Sequence, residues 1–144
     1  MQTQSRFEAK HSVMIHAPIE KVWAALTTPD QIKQWFFGVD TETDWKPGSP
    51  LVHRGRWQGK SYEDKGTILR IEPPHLLVHN HWSGLSGLPD RPENYQQVTF
   101  ALAGRGSDTE LTLHEVNIPG EEARALSEKS WKMVLQSLKE LLER

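Results

Sequence analysis

The sequence predicts an α+β fold: a curved, seven-stranded antiparallel sheet, two short helices after strand 1, and a long C-terminal helix across the concave face. Three observations carry this. An alternating apolar stretch near the N-terminus is followed by two short helical stripes. Six strand-like segments then run from Val39 to Val116 with Gly or Pro at their breaks. The chain closes on one extended amphipathic helix, the only long cover available for the apolar side of a twisted sheet.

Phe7, Ala9, His11, Val13 and Ile15 alternate with Glu8, Lys10, Ser12 and Met14, which is the period of a half-buried strand. Pro18 suits the first helical position, where its missing N–H costs nothing. Ile19, Val22, Trp23 and Leu26 then form one helical stripe. Thr28 and Gln31 have capping-box spacing around Pro29. Ile32, Trp35 and Phe36 supply the buried side of this second helix, and Gly38 ends it. The strands expected next are Val39–Trp45, Ser49–Trp57, Ser61–Glu72, His75–Trp82, Tyr95–Ala103 and Thr109–Val116. Their short connections imply a meander. Ser83–Asn94 is the exception, a long Gly-, Pro- and Ser-rich segment expected at the mouth of any cavity. Pro119-Gly120 opens the last helix, with Glu121 and Glu122 at its positive end. Its apolar face reads Leu126, Trp131, Val134, Leu135, Leu138, Leu141 and Leu142.

Composition narrows the function. A chain of 144 residues fits one domain, 1–144. With no cysteine it has no disulfide, thiolate site or cysteine nucleophile. A net charge of −2 gives no reason to expect nucleic acid as a partner. The longest apolar run, Val22–Leu26, is five residues, far below a membrane span, and Met1–Arg6 has no signal-peptide core. The expectation is a cytoplasmic protein with no membrane partner. Six tryptophans spread along the chain suggest either core anchors or an aromatic cavity wall.

Ala17–Thr27 with Ile32-Lys33-Gln34-Trp35 resembles the opening of the SRPBCC superfamily, the START and Bet v 1-like helix-grip proteins. Asp44-Trp45-Lys46-Pro47-Gly48-Ser49-Pro50, Lys65-Gly66-Thr67-Ile68-Leu69, Glu72–Val78 and Ser130–Lys139 are similar, more narrowly, to its AHSA-type branch, named after the activator of the Hsp90 ATPase. Two departures stand out. Ser130 replaces the Gly that often precedes the last-helix Trp, and Leu113-His114-Glu115 replaces a Thr-His pair. The resemblance implies a helix-grip fold with a hollow between sheet and last helix. Relatives include lipid and hormone binders, cyclases and co-chaperone domains.

The expected cavity set is Trp35, Phe36, His53, Trp57, Asn80, Trp82, Val98, Phe100, Leu113, Trp131, Val134 and Leu135. In it, Asn80 or His53 would orient a ligand among apolar neighbours. No nucleophile elbow or triad ordering is present. His53, Glu63 and Glu115 are the candidate acid–base groups. His79 and His81 have the spacing of a two-ligand metal clip, and His114 could lie nearby, but no third and fourth ligand is identifiable and alternation from Trp82 would turn the pair outward; no metal is expected, and no cofactor. The function read from these features is binding of a small hydrophobic or aromatic molecule. The alternatives are a cavity enzyme of cyclase, dehydratase or hydrolase type, and a domain that stimulates a chaperone ATPase. Partners would then be the ligand, a chaperone, or a second copy of the chain.

Overall fold

The computed structural model describes residues 7–144; residues 1–6, read above as lacking a signal-peptide core, lie outside the described residues. The strands are β1 (Phe7–Ile15), β2 (Asp40–Glu42), β3 (Pro50–Trp57), β4 (Lys60–Glu72), β5 (Leu76–Ser83), β6 (Gln96–Arg105) and β7 (Asp108–Ile118). They form one seven-stranded sheet in the order β1-β7-β6-β5-β4-β3-β2. Each neighbouring pair is antiparallel. The helices are α1 (Ile19–Thr27), α2 (Pro29–Trp35) and α3 (Glu121–Leu142). This is the α+β helix-grip architecture that the sequence predicts. Among the described residues no helix is long and apolar enough to cross a membrane.

Local chemistry differs from expectation at the short helices. Pro18 is the N-cap of α1, one position before the expected one, and its carbonyl accepts from Val22 N at 3.2 Å. Thr28 caps α2 by position only, since its side chain makes no capping bond and no capping box forms. The neighbouring Thr27 hydroxyl donates to the Trp23 carbonyl at 2.9 Å instead. The end of α2 is a Schellman turn in which Gly38 N–H donates to Lys33 O at 2.9 Å. Phe37, not glycine, occupies the left-handed position before Gly38, with φ of 54° and 62% exposure. β2 is shorter than expected because Trp45 also turns left-handed, at φ 59°, and takes the chain out of the ladder. The β3–β4 turn, Gln58-Gly59, has positive φ at both positions, as a two-residue hairpin requires.

The core lies between the concave face of the sheet and α3. Val98, Leu102, Leu111 and Leu113 from the sheet are buried, as are Val134, Leu135, Leu138 and Leu142 from the helix. Leu126, assigned to that face from the sequence, is 65% exposed. The inward stripe continues from Trp131 through Ser127 and Ala123, which are one and two turns back, so the first half of α3 is thinly packed.

Two strands present the opposite faces from those expected, and this decides what the cavity contains. In β5 the inward side chains are Leu77, His79 and His81, while Leu76, Val78, Asn80 and Trp82 point to the convex side. The sequence favoured the reverse because that outer row is the more apolar one. Its cover is the 83–95 segment: Trp82 Nε1 donates to Leu88 O at 3.1 Å, and Lys65, whose Nζ sits 5.8 Å from the Trp82 ring centre, pairs with Asp90. Ser83–Asn94, which holds a single 3₁₀ turn at Pro92–Asn94, therefore lies on the back of the sheet and lines no part of the cavity. In β4, Asp64 and Ile68 face inward, and a register shift between Ile68 and Arg70 brings Ile71 to the same side. Glu63 faces outward.

Candidate functional site

A partly enclosed cavity of about 70 Å³ lies between the sheet, α1–α2 and α3. Leu26, Ile32, Trp35 and Phe36 close one side, and Trp45, Leu51, Leu77, Phe100 and Trp131 complete the apolar wall. The Phe36 and Trp131 rings stack with centres 6.3 Å apart, and Trp131 meets Phe100 edge-on at 6.0 Å. The Trp35 indole is anchored by donating to Ala25 O at 2.8 Å. An aromatic wall of this kind suits flat apolar groups.

The remaining wall is polar and comes from three adjacent strands: His53 of β3, Asp64 of β4, and His79 with His81 of β5. His53 and Asp64 are direct cross-strand partners. His79 has its Nδ1 at 3.0 Å from the Asn80 carbonyl, a contact only a protonated Nδ1 can make, which leaves Nε2 as a bare acceptor. The His53 Nδ1 shares a hydrogen bond of 2.9 Å with the Thr41 hydroxyl. Burial, reinforced by the neighbouring histidines, pushes His53 down to about 3. Burial likewise lowers His79 to about 4. Both imidazoles are therefore neutral at physiological pH. Burial raises the Asp64 carboxyl above the usual range, and its Oδ1 is buried without a hydrogen-bond partner.

Behind this wall Glu115 of β7 ties the sheet to α3. It is 4% exposed, accepts from Trp131 Nε1 at 2.9 Å through Oε1, and holds His81 Nε2 at 3.2 Å through Oε2. Burial alone would raise its pKa. Hydrogen bonds from His81, Trp131 and Ser127 outweigh that and keep it below the ordinary glutamate value.

The family model described as "Activator of Hsp90 ATPase homolog 1-like protein" matches residues 16–143. The chain belongs to this family. A Cytophaga hutchinsonii protein, ChR145, has a solution structure that is 42% identical, with a TM-score of 0.84, covering 98% of this chain and 97% of its own. An Aha1 dimer from Colwellia psychrerythraea shares the fold at 24% identity, with a TM-score of 0.76 and coverage of 95% and 96%. CalU16 from Micromonospora echinospora is similar at 25% identity and a TM-score of 0.70, covering 96% of this chain and 83% of its own. None of the curated proteins compared with the chain matches it.

Within this AHSA1-type scaffold the residues singled out from the sequence separate into groups. Trp35, Phe36, His53, Phe100 and Trp131 line the cavity. Val98, Leu113, Val134 and Leu135 are packed into the core beside it. Asn80 and Trp82 lie on the convex face, a correction that follows from the alternation of β5. The Trp57 side chain lies outside what the structure describes. Of the acid–base candidates, Glu63 is exposed and pairs with Arg54 at 3.0 Å on the outer face, away from the cavity. Glu115 sits behind the wall. The residues missed are Asp64, His79 and His81 with the apolar Leu26, Ile32, Trp45, Leu51 and Leu77. Knowing that β5 is backed by the 83–95 segment would have revealed the histidines. Despite their inward placement, no cluster of three or more His, Asp or Glu among the described residues is arranged to hold a metal ion.

Proposed function

We propose that residues 1–144 act as one domain that binds a small apolar or aromatic molecule between the sheet and α3. The observation that supports this is the aromatic-walled cavity with a polar end. The void of about 70 Å³ has room only for molecules of the size of water. An apolar cavity of about 150 Å³ takes benzene, so a ring enters here only as Phe36 and Trp131 part. The first half of α3 is the thinly packed part of the fold and is the element free to give way. Each 100 Å² of apolar surface hidden from water contributes about 2.5 kcal/mol toward such a guest. Native mass spectrometry of freshly purified protein, with thermal-shift screening of aromatic and lipid libraries, tests the reading. A bound mass or a stabilising hit supports it, and a bare chain with no hit overturns it.

A second reading, an acid–base enzyme in the same cavity, is supported by the His81–Glu115 pair. Turnover of a bound ligand that is lost in His81→Gln would replace simple binding. The family's description also favours a chaperone ATPase as partner, and a pull-down with purified Hsp90 tests it. The dimeric relative from Colwellia psychrerythraea favours self-association, which light scattering would detect.

A further inference from the structure

The cavity's polar end is unbalanced in a way that specifies its guest. Three strands bring His53, Asp64 and His79 to one patch of wall. His79 Nε2 has no protein partner among the described residues, because the ring spends its only N–H on Asn80 O. Asp64 Oδ1 is buried with nothing to accept from. Of the lining indoles, those of Trp35 and Trp131 are committed to Ala25 O and Glu115. A buried acceptor with no donor costs the fold its lost hydration, and such groups call for a partner supplied from outside the chain.

From this geometry we infer that the cavity takes a neutral aromatic molecule carrying a hydroxyl donor, its ring against Phe36, Phe100 and Trp131 and its one O–H donated to His79 Nε2 or to Asp64 Oδ1. This rests on the binding reading above and names the class of ligand. Charged alternatives fit worse. An anionic ring would meet the Asp64 carboxyl with no Lys or Arg on the wall. A cationic ring would have to surrender its hydration to the same burial that keeps the two imidazoles neutral.

p-Cresol and p-xylene test the inference, since they differ only by exchange of hydroxyl for methyl. Hydration alone favours p-xylene in an apolar pocket, so the order of affinities reports the polar wall. Titration followed by NMR of the indole N–H signals and cavity methyl groups should show p-cresol binding at least tenfold more tightly. p-Toluate should bind more weakly than p-cresol. Asp64→Leu, which removes the unpaired Oδ1 along with the carboxyl's contact to Ser83, brings p-cresol and p-xylene closer together; His79→Phe does the same where it folds. If p-xylene binds as tightly as p-cresol, or p-toluate binds best, the hydroxyl inference fails and the cavity reading stands. If none of the probes moves the cavity signals, while the library screen still finds ligands, the inference fails alone. If nothing binds in either experiment, both fail.

Discussion

The Trp131 indole N–H donates to Glu115 Oε1 at 2.9 Å, across the interface between the last helix and the sheet. This bond joins the aromatic wall of the cavity to the carboxylate that holds His81. C-terminal to it, α3 is secured by Leu135, Leu138 and Leu142 and by the Lys139 ammonium on Met14 O at 2.6 Å. N-terminal to it, Leu126 faces water. Glu115 thus ties the thinly packed first half of α3 to the sheet.

Glu115→Ala should lower stability by roughly 2 kcal/mol, because it strands two half-buried donors, the Trp131 indole and the His81 imidazole. Glu115→Gln should cost less, since its amide oxygen still accepts from Trp131. A double-mutant cycle with Trp131→Phe in urea unfolding should show a coupling of about 1 kcal/mol. Strict additivity would mean that the bond contributes nothing to closure.

Stability should fall as the solution is acidified from neutral pH. In the unfolded chain a histidine takes up its proton around pH 6.5, whereas in the fold His79 resists until about 4 and His53 until about 3. Between those limits the unfolded state binds more protons, so each histidine removes up to about 1.4 kcal/mol per pH unit. Asp64 works against this trend, because its raised carboxyl pKa makes the fold easier to protonate. Glu115 adds its own loss only below its ordinary value of 4.5. Urea midpoints measured at pH 7, 6 and 5 should therefore drop progressively, and His79→Phe should reduce the slope by about half. A flat profile would show that the buried imidazoles are hydrated.

How much of this was legible from residues alone depended on whether the signal was local. Turn residues and apolar periodicity act over a few positions, and they located every strand and helix. Strand parity is different. Leu76, Val78 and Trp82 form the more apolar row of β5, yet they face outward because the 83–95 segment folds back over them, an arrangement with no local signature. His79 and His81 were thereby assigned to solvent when they line the cavity. Asp64 and Glu63 are one residue apart, and the Gln58-Gly59 turn decides between them by pairing Asp64 directly with His53 on the inward face, while the register shift farther along β4 re-aims the residues beyond Ile68.

Gly66 marks a closer constraint within the same pair of strands. A Cβ there would stand 1.9 Å from the Asn80 carbonyl oxygen, while the Asn80 side chain accepts from Thr67 N–H at 2.8 Å in place of a backbone partner. Gly66→Ala must therefore separate β4 from β5 beside His79 and His81, and should destabilise by about 3 kcal/mol. Asn80→Ala leaves the Thr67 amide unpaired and should cost about 1–2 kcal/mol, with faster hydrogen exchange at that amide. Wild-type stability in Gly66→Ala would mean that the strands are not this close.

At the end of α2 the expected effect has the opposite sign. Phe37 holds a left-handed conformation at φ 54° while 62% exposed, so it bears backbone strain with little packing in return. Phe37→Gly should raise stability by about 0.5–1 kcal/mol, the released strain exceeding the added unfolded-state entropy. A loss in thermal unfolding would show that the ring is covered in solution.

The placement of the 83–95 segment can be tested through Trp82. Its indole is pinned to Leu88 O on the convex side, so Trp82→Phe should free the segment, cost about 1 kcal/mol, and speed amide exchange at 84–91. The aromatic cavity opens on the other side of the sheet. Binding of an aromatic probe should therefore stay within about twofold of wild type in Trp82→Phe, while Phe36→Leu, which alters the aromatic wall itself, should change it severalfold. Loss of binding in Trp82→Phe with Phe36→Leu unaffected would place the guest on the convex face, against Trp82 and Lys65.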